Sequence, residues 1–470
     1  MRILEALKPS RVFYHFEDLA AIPHGSGNTK AISDHCAAFA KAHGFSYEQD
    51  EWNNIIIRKP ASAGFEDRPT VILQGHLDMV CEKDADCPLD LAKDGLMLAH
   101  DDKYVFAKGT TLGGDDGIAV AMALAILEDD SIPHPALEAL FTTDEETGMF
   151  GAEGLDVSKL NGRTLINVDS EEEGILTVSC AGGARAELAL TLESVPLEKV
   201  CFRVTLGGLA GGHSGTEINK GLQNANIMLA AFLKSLPGLR LVSIAGGSKD
   251  NAIPRESVAV ISLDADIAPL AEAFVKNNRV ETDPGLFLRV EPCGYMEKAF
   301  SEADSARVIG LLNAVPNGVQ AMCRDLPDLV ETSLNLGILK SSEIGVKASF
   351  AVRSSVNQAK KDLLKKLEDV VLSFGGSYED YGHYPAWEFR KESPLRETMV
   401  RAFEKLYDRE PVVEAIHAGL ECGIFSDRLE GLDAVSIGPD ILDIHTSREK
   451  LDIASVGRTY AYLLEILKNL

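Results

Sequence analysis

Positive charge is scarce in this chain: its 470 residues carry 46 Lys and Arg against 72 Asp and Glu, a formal charge of −26. Such a mean field repels nucleic acid and anionic membrane surfaces, so neither is expected as a partner. It does not repel metal cations. Cysteine is also sparse, with eight residues at 36, 81, 87, 180, 201, 293, 323 and 422 and no CxxC pair. That spacing excludes a thiolate zinc site or a dithiol redox motif, and leaves ordinary free thiols. No uninterrupted apolar run reaches the ~18 residues of a membrane span. The opening stretch MRILEALKPSRVFYHFEDLAAIP places Glu5, Lys8 and Arg11 where a signal peptide would need an apolar core, so a cytoplasmic protein is expected. Low-complexity linkers are missing too.

What is present is a globular composition, 45% hydrophobic by count. At roughly 100–200 residues per domain, the length calls for two or three domains. Up to about residue 180, helices alternate with short apolar strands, the texture of an α/β fold with a largely parallel sheet. Helices are expected over 28–43 and 117–128, and strands over 70–74, 139–142 and 165–168. From about Ala184 the texture becomes longer and alternating (ARAELALTLES, KVCFRVTLGG, ESVAVISLDAD), as in an antiparallel α+β unit with helices over 222–236 and 269–277. A similar strand-rich, then helical, passage recurs over 329–369. The α/β texture returns with a helix over 394–407, a strand over 434–437 and a helix over 453–467. The simplest organisation is an α/β domain of two segments, 1–183 and 388–470, interrupted by an α+β domain over 184–387.

Five strand-end loops of the α/β part carry hard ligands. GHLD follows the strand TVILQ, and residues two apart on extended chain project to one side, so His76 and Asp78 can address one point. TLGGDDG sets Asp115 and Asp116 after a Gly-Gly turn that opens an apolar helix. TTDEETG puts Asp144, Glu145 and Glu146 together after a strand, three acids that repel one another unless a cation or proton compensates them. NVDSEE adds Asp169, and the loop after strand AVSIG adds His445. Each alone has an ordinary explanation: an N-cap, a surface histidine, a solvated turn. Their coincidence at five loops of one domain is the signal. Imidazole with carboxylate and no thiolate suits Zn²⁺, Co²⁺ or Mn²⁺ rather than a structural zinc site. No Lys/Arg cluster accompanies these loops, which weighs against a two-metal phosphoesterase.

In order and spacing, GHLDMV, TTLGGDDGIA, TTDEETG, NVDSEE and GPDILDIH resemble the zinc-dependent exopeptidase family that includes aminoacylases, carnosinases and tripeptide aminopeptidases. GGLAGGHSGTEINKGLQNAN, DNAIPRES, VETSLNLG and AIHAGLECGIF extend the resemblance over essentially the whole chain, and favour the dipeptidases of that family. The resemblance implies a mainly parallel-sheet di-metal catalytic domain interrupted by an inserted lid, which in relatives often forms a homodimer. It implies two Zn²⁺ per chain (or Co²⁺ or Mn²⁺), one held by His76 and Asp169, the other by Glu146 and His445, with Asp115 between them. Asp78 is expected to take the second imidazole N–H of His76, and Glu145 to act as general base. His213 in GGHSG is the implied oxyanion donor. Asn251, Asn335 and Arg353 are candidates for the oxyanion or the substrate's terminal carboxylate, and Glu421 for a substrate ammonium. Where relatives often read ADN after TLG, this chain reads GDD, making Asp116 an extra acid without an assigned role. The implied reaction is hydrolysis of unblocked dipeptides, Xaa-His types included. The alternatives are an aminoacylase or tripeptide aminopeptidase of the same chemistry, and a non-catalytic metal-dependent peptide-binding protein.

Overall fold

A computed structural model describes residues 2–324, 326 and 329–470. Packing divides the chain into two compact units: Met1–Ser179 with Phe389–Ala415 and Leu420–Leu470, and Cys180–Glu388 with Ile416–Gly419. The boundaries fall after Ser179 and Glu388, against the expected 183 and 387, and residues 416–419 group with the second unit.

The first unit is built on an eight-stranded sheet in the order Ser46–Gln49, Ile55–Lys59, Leu137–Thr142, Val71–His76, Thr164–Asn167, Asp433–Ser436, Ile175–Cys180 and Val412–Ile416. Its four central strands, from Leu137–Thr142 to Asp433–Ser436, run parallel, while strands toward either side pair antiparallel. Val71–His76 and Leu137–Thr142 are buried along their whole length, as strands covered on both faces must be. Helix Gly114–Glu128 is the densest part of this core: every residue from Gly117 to Leu127 is buried. Its Ala, Leu, Ile and Met side chains are strong helix formers and leave no polar stripe for solvent. It packs on helix Ser10–Ala20 and strand Val71–His76. Truncating Leu124, which is wholly buried, to alanine would cost about 2–5 kcal/mol.

A smaller antiparallel sheet in this unit orders Ile441–Leu442, Lys450–Asp452, Tyr104–Ala107 and Leu98–His100. Its first two strands frame a loop over 443–449, and its third leads into the Gly-Gly turn at 113–114.

The second unit holds a nine-stranded sheet whose pairings are all antiparallel, with Phe287–Phe300 and Ser377–Tyr384 at its edges. Helices Ala225–Lys234, Glu302–Ala314 and Asn357–Ser373 bury their apolar sides, including Phe232, Leu312 and Leu367, into one core with sheet residues such as Phe350. Asn224 caps the first of these helices by accepting from the N–H of Asn226 at 3.0 Å and of Ile227 at 3.3 Å.

Candidate metal centre

The parallel register decides where the ligand loops open. His76 lies opposite Thr142, Gln74 opposite Asn167, and Asn167 opposite Ser436, so the four central strands end together. The segments that follow, carrying Asp78, Glu145 and Glu146, and Asp169, therefore leave the sheet at one edge, where ligands collect in open α/β sheets. The turns there are tight. Of six non-glycine residues with positive φ among the described residues, four are Asp144, Met149, Asp443 and His445, all in ligand loops. Backbone held in this sparsely populated region concentrates at functional sites. Gly113 has φ 66°, so conformation favours glycine there, and a Cβ would stand 2.9 Å from Met79 Sδ and make that thioether shift.

Two imidazoles converge on one carboxylate. His76 Nε2 is 3.1 Å from Asp115 Oδ1 and 3.6 Å from Asp169 Oδ1. His445 Nε2 is 3.1 Å from Asp115 Oδ2 and 3.0 Å from Glu146. Ligand atoms of His76, Asp115 and Glu146, and of His76, Asp116 and Asp169, form two groups that could each hold a metal ion. The Asp115–Asp116 peptide is cis. Glu145 sits beside this cluster, and its carboxylate has no hydrogen-bond donor among the described residues.

The hydrogen bonds of His76 show what the cluster asks for. Its Nδ1 is 2.9 Å from the backbone oxygen of Asp78, an acceptor only, so Nδ1 carries the ring proton. A neutral ring would then aim the Nε2 lone pair at two carboxylates. Either a second proton or a metal cation must stand there. In keeping with this, burial lowers the pKa of His76 but the carboxylates of Asp115, Asp169 and Asp78 outweigh it and push it well above its ordinary value. Hydrogen bonds to Asp115 and Glu146 push His445 up to about 10. Burial raises Glu145, Glu146, Asp169 and Asp116, because water that would stabilise their charges is excluded. Crowded hard oxygens and two imidazoles, with both Nε2 atoms turned to one carboxylate, fit a pair of divalent ions.

Asp78, Asp116 and Glu421 have partners that the sequence does not show. Asp78 stands 3.6 Å from His76 Nδ1 with its carboxylate, and the ring proton goes to its backbone oxygen instead. Its carboxylate accepts from the N–H of Glu145 at 3.0 Å, the N–H of Glu146 at 3.4 Å and Ser26 Oγ at 2.8 Å. It therefore fixes the turn that presents both glutamates. Asp116 is 1% exposed and accepts from the backbone N–H of His76 at 3.0 Å. Glu421 is wholly buried; its Oε2 accepts from Gln74 Nε2 and Thr142 Oγ1, each at 2.6 Å, and Gln74 Oε1 accepts from Asn167 Nδ2 at 2.6 Å. This polar chain ties three strand ends together, and burial pushes Glu421 up to about 8. Through Oε2 the side chain braces the strand ends, while its buried Oε1 has no partner among the described residues.

The other sequence candidates lie in the second unit. His213 is on the short strand Gly212–His213 paired with Ala252–Ile253. Its Nδ1 accepts from the backbone N–H of Thr216 at 3.1 Å, which leaves Nε2 as a donor. Burial and the charge of Arg353 lower its pKa, so the ring stays neutral. Arg353 donates from Nη1 to Tyr384 Oη at 2.9 Å, while its buried Nε has no partner among the described residues. Asn251 exposes its side chain and accepts from Ser214 N with its backbone oxygen at 2.9 Å. Asn335, 1% exposed, spends its amide on the oxygens of Asp250 (3.2 Å) and Ala252 (2.9 Å) and on Asn224 Nδ2 (2.9 Å). It braces the segment next to Asn251 and offers no free donor.

Ser26, Gln74 and Glu449 were missed by sequence reasoning. Glu449 follows His445 by four residues in HTSREK, the one signal that could have drawn it in; Ser26 and Gln74 carry none.

Strand-end histidines and carboxylates on an α/β sheet define a metal-binding hydrolase architecture. The chain belongs to peptidase family M20/M25/M40, whose model matches residues 72–469. The cytosol non-specific dipeptidase of Escherichia coli (strain K12) is 39% identical over an alignment of 482 residues that covers 100% of this chain and 99% of that protein. The crystal structure of aminoacylhistidine dipeptidase from Vibrio alginolyticus has a TM-score of 0.93 and 35% identity, covering 99% of this chain and 97% of that one. Aminopeptidase PepT from Bacillus cereus, at 17% identity and a TM-score of 0.59 over 98% and 99% of the two chains, shares the fold.

Proposed function

We propose that this chain is a metal-dependent dipeptidase that hydrolyses unblocked dipeptides, Xaa-His types such as β-alanyl-histidine among them. The observation that carries the reading is the approach of His76 Nε2 and His445 Nε2 to the two oxygens of Asp115, with Asp169 and Glu146 beside them. Full-length similarity to the two dipeptidases supports the substrate class. In this reading His76 and Asp169 would hold one ion and Glu146 and His445 the other, with Asp115 available to both. The ions are zinc, with Co²⁺ or Mn²⁺ also suited to the donor set. Divalent ions held there supply Lewis acidity toward a carbonyl and make a water more acidic.

The chain's own groups do the rest. Glu145, its backbone tied to Asp78, takes a proton from the attacking water and passes it to the leaving amide nitrogen as the C–N bond breaks. Asp78 holds that carboxylate where the proton transfer needs it. His213, neutral with Nε2 as a donor, suits a developing oxyanion, the Arg353 Nε without a partner among the described residues suits the substrate's carboxylate, and Asn251 offers an exposed amide for either. A cytoplasmic location belongs to the same reading, supported by the name of the Escherichia coli relative. Among the described residues no helix is long and apolar enough to cross a membrane. Metal analysis of the purified chain, combined with a panel of dipeptides, tripeptides and N-acetyl amino acids, tests the proposal. Two divalent ions per chain and turnover confined to dipeptides are expected; preference for N-acetyl amino acids or tripeptides would overturn the substrate class, and metal-free turnover would overturn the mechanism.

A further inference from the structure

We infer that Glu449 is the positioning residue for Asp115 and thereby sets the affinity of the metal pair, an inference that rests on the metal reading proposed above. Glu449 is 3% exposed, and no ion pair accounts for its charge among the described residues. Both of its oxygens are instead filled by backbone. Oε2 accepts from the N–H of Leu112 at 2.8 Å and of Gly113 at 3.2 Å; Oε1 accepts from the N–H of Gly114 at 2.8 Å and of Asp115 at 3.3 Å. Four successive N–H groups converging on one anion form a concave nest. Here the anion comes from the protein itself.

The nest ends at the residue whose carboxylate faces both imidazoles. A carboxylate shared between two ligand sets must hold its position to a fraction of an ångström, and the Asp115 side chain has only two torsions through which an error in its backbone could be absorbed. The Gly113–Gly114 turn, needed for its tightness, supplies no side-chain packing of its own. Glu449 provides the missing restraint from outside the loop.

Topology explains why this residue can do so. Lys450 pairs with Phe106 and Leu451 with Val105 across the antiparallel strands Lys450–Asp452 and Tyr104–Ala107. The loop that ends at Glu449 and the loop that begins after Ala107 therefore leave the same end of two neighbouring strands. Within the first loop the N–H of Glu449 donates to the oxygen of Thr446 at 3.1 Å, closing a turn around the segment that carries His445. One five-residue stretch thus supplies the imidazole that meets Asp115 Oδ2 and the carboxylate that fixes the Asp115 backbone. Displacing either end moves the other.

Glu449→Gln keeps the shape but replaces one acceptor oxygen with an N–H₂ group set against two N–H donors. The test titrates metal-stripped protein with Co²⁺, read by visible absorption and by calorimetry, with thermal unfolding followed on the same samples. Wild type is expected to take two Co²⁺ and E449Q to bind them about 10- to 100-fold more weakly. Asp433→Asn serves as the control: Asp433 is another buried carboxylate of the same unit, accepting from Ser393 Oγ at 2.6 Å and the N–H of Leu395 at 2.9 Å. D433N should lose thermal stability and keep wild-type Co²⁺ affinity. A folded E449Q with wild-type affinity, or an equal loss of affinity in D433N, would overturn the assignment. If E449Q does not fold, Gly114→Ala decides, since its added Cβ would stand 3.1 Å from Glu449 Oε1 and force the carboxylate to yield by a few tenths of an ångström. Several-fold weaker Co²⁺ binding is expected there, and wild-type affinity overturns the assignment. Wild-type protein that takes up no Co²⁺ would instead overturn the metal reading itself.

Discussion

Replacing Asp78 with asparagine separates two accounts of how that residue works. The side chain keeps its size, loses its charge, and turns one of its two oxygens into an N–H₂ group. In the structure those oxygens accept from the N–H of Glu145, the N–H of Glu146 and Ser26 Oγ. The remaining carbonyl oxygen can keep Ser26 and one N–H, so at least one charge-assisted hydrogen bond is lost. A bond of that kind is worth about 1.5–3 kcal/mol. At about 1.4 kcal/mol per tenfold, a loss that falls wholly on placement of the Glu145 carboxylate lowers kcat by about 10- to 150-fold. His76 donates its ring proton to the backbone oxygen of Asp78, which the substitution leaves in place, so metal content should stay near wild type. The assay is steady-state hydrolysis of a dipeptide with bound metal measured on the same preparation. A folded D78N that loses metal as His76→Ala does would refute the reasoning, because it would mean that the carboxylate acts through the imidazole. A kcat within twofold of wild type would refute it from the other side.

Three further outcomes are expected. Glu145→Ala should abolish turnover while metal content stays near two ions per chain; measurable dipeptidase activity in that variant would remove Glu145 as the base. His76→Ala and Asp115→Ala should lose metal, by elemental analysis, along with activity. Burial pushes Glu421 up to about 8 in the folded chain, against an ordinary carboxyl pKa of about 4.3. Between those values the native state binds a proton that the unfolded state releases, so this contribution to stability is full below about pH 4 and declines as pH rises through about 8. Glu421→Gln carries no such proton, so the metal-free variant should melt above wild type at pH 9 and close to it at pH 5; parallel melting curves across that range would count against the buried protonated carboxyl.

The ligand loops were legible because each has a local signature. A strand such as TVILQ or ALFT shows its burial in its own composition, and a polar residue directly beyond it must face the strand end, where the sheet's topology already concentrates function. The central parallel strands could be read for the same reason, since Val71–His76 and Leu137–Thr142 are buried along their whole length and carry short apolar runs, VIL at 71–73 and ALF at 139–141. Partners were a different matter. That Asp78 would turn its carboxylate to the backbone of Glu145, 67 residues on, follows only from the turn at 143–148 folding back beside it. Glu421 and Asn335 carry the same side-chain chemistry whether they face a ligand or brace a neighbour. Their donors and acceptors lie 347 and 85 residues away, so nothing near them in the chain distinguishes the two. Glu449 was hidden most completely, because its partners are N–H groups that every non-proline residue possesses.

The parallel pairing of Asp433–Ser436 with Thr164–Asn167 has a consequence for synthesis. Asp433 lies opposite Thr164, a separation of 433 − 164 = 269 residues. At about 5–20 residues per second, the ribosome needs roughly 13–54 s to deliver the second strand after the first. For that interval Thr164–Asn167 is an open flank of a nascent sheet, with unpaired N–H and C=O groups along it, able to recruit a strand from another chain. His445 emerges later still. The chain therefore leaves the ribosome with an adhesive edge waiting for its last twelfth, and its dependence on chaperones should be greatest in truncated products that stop short of residue 433.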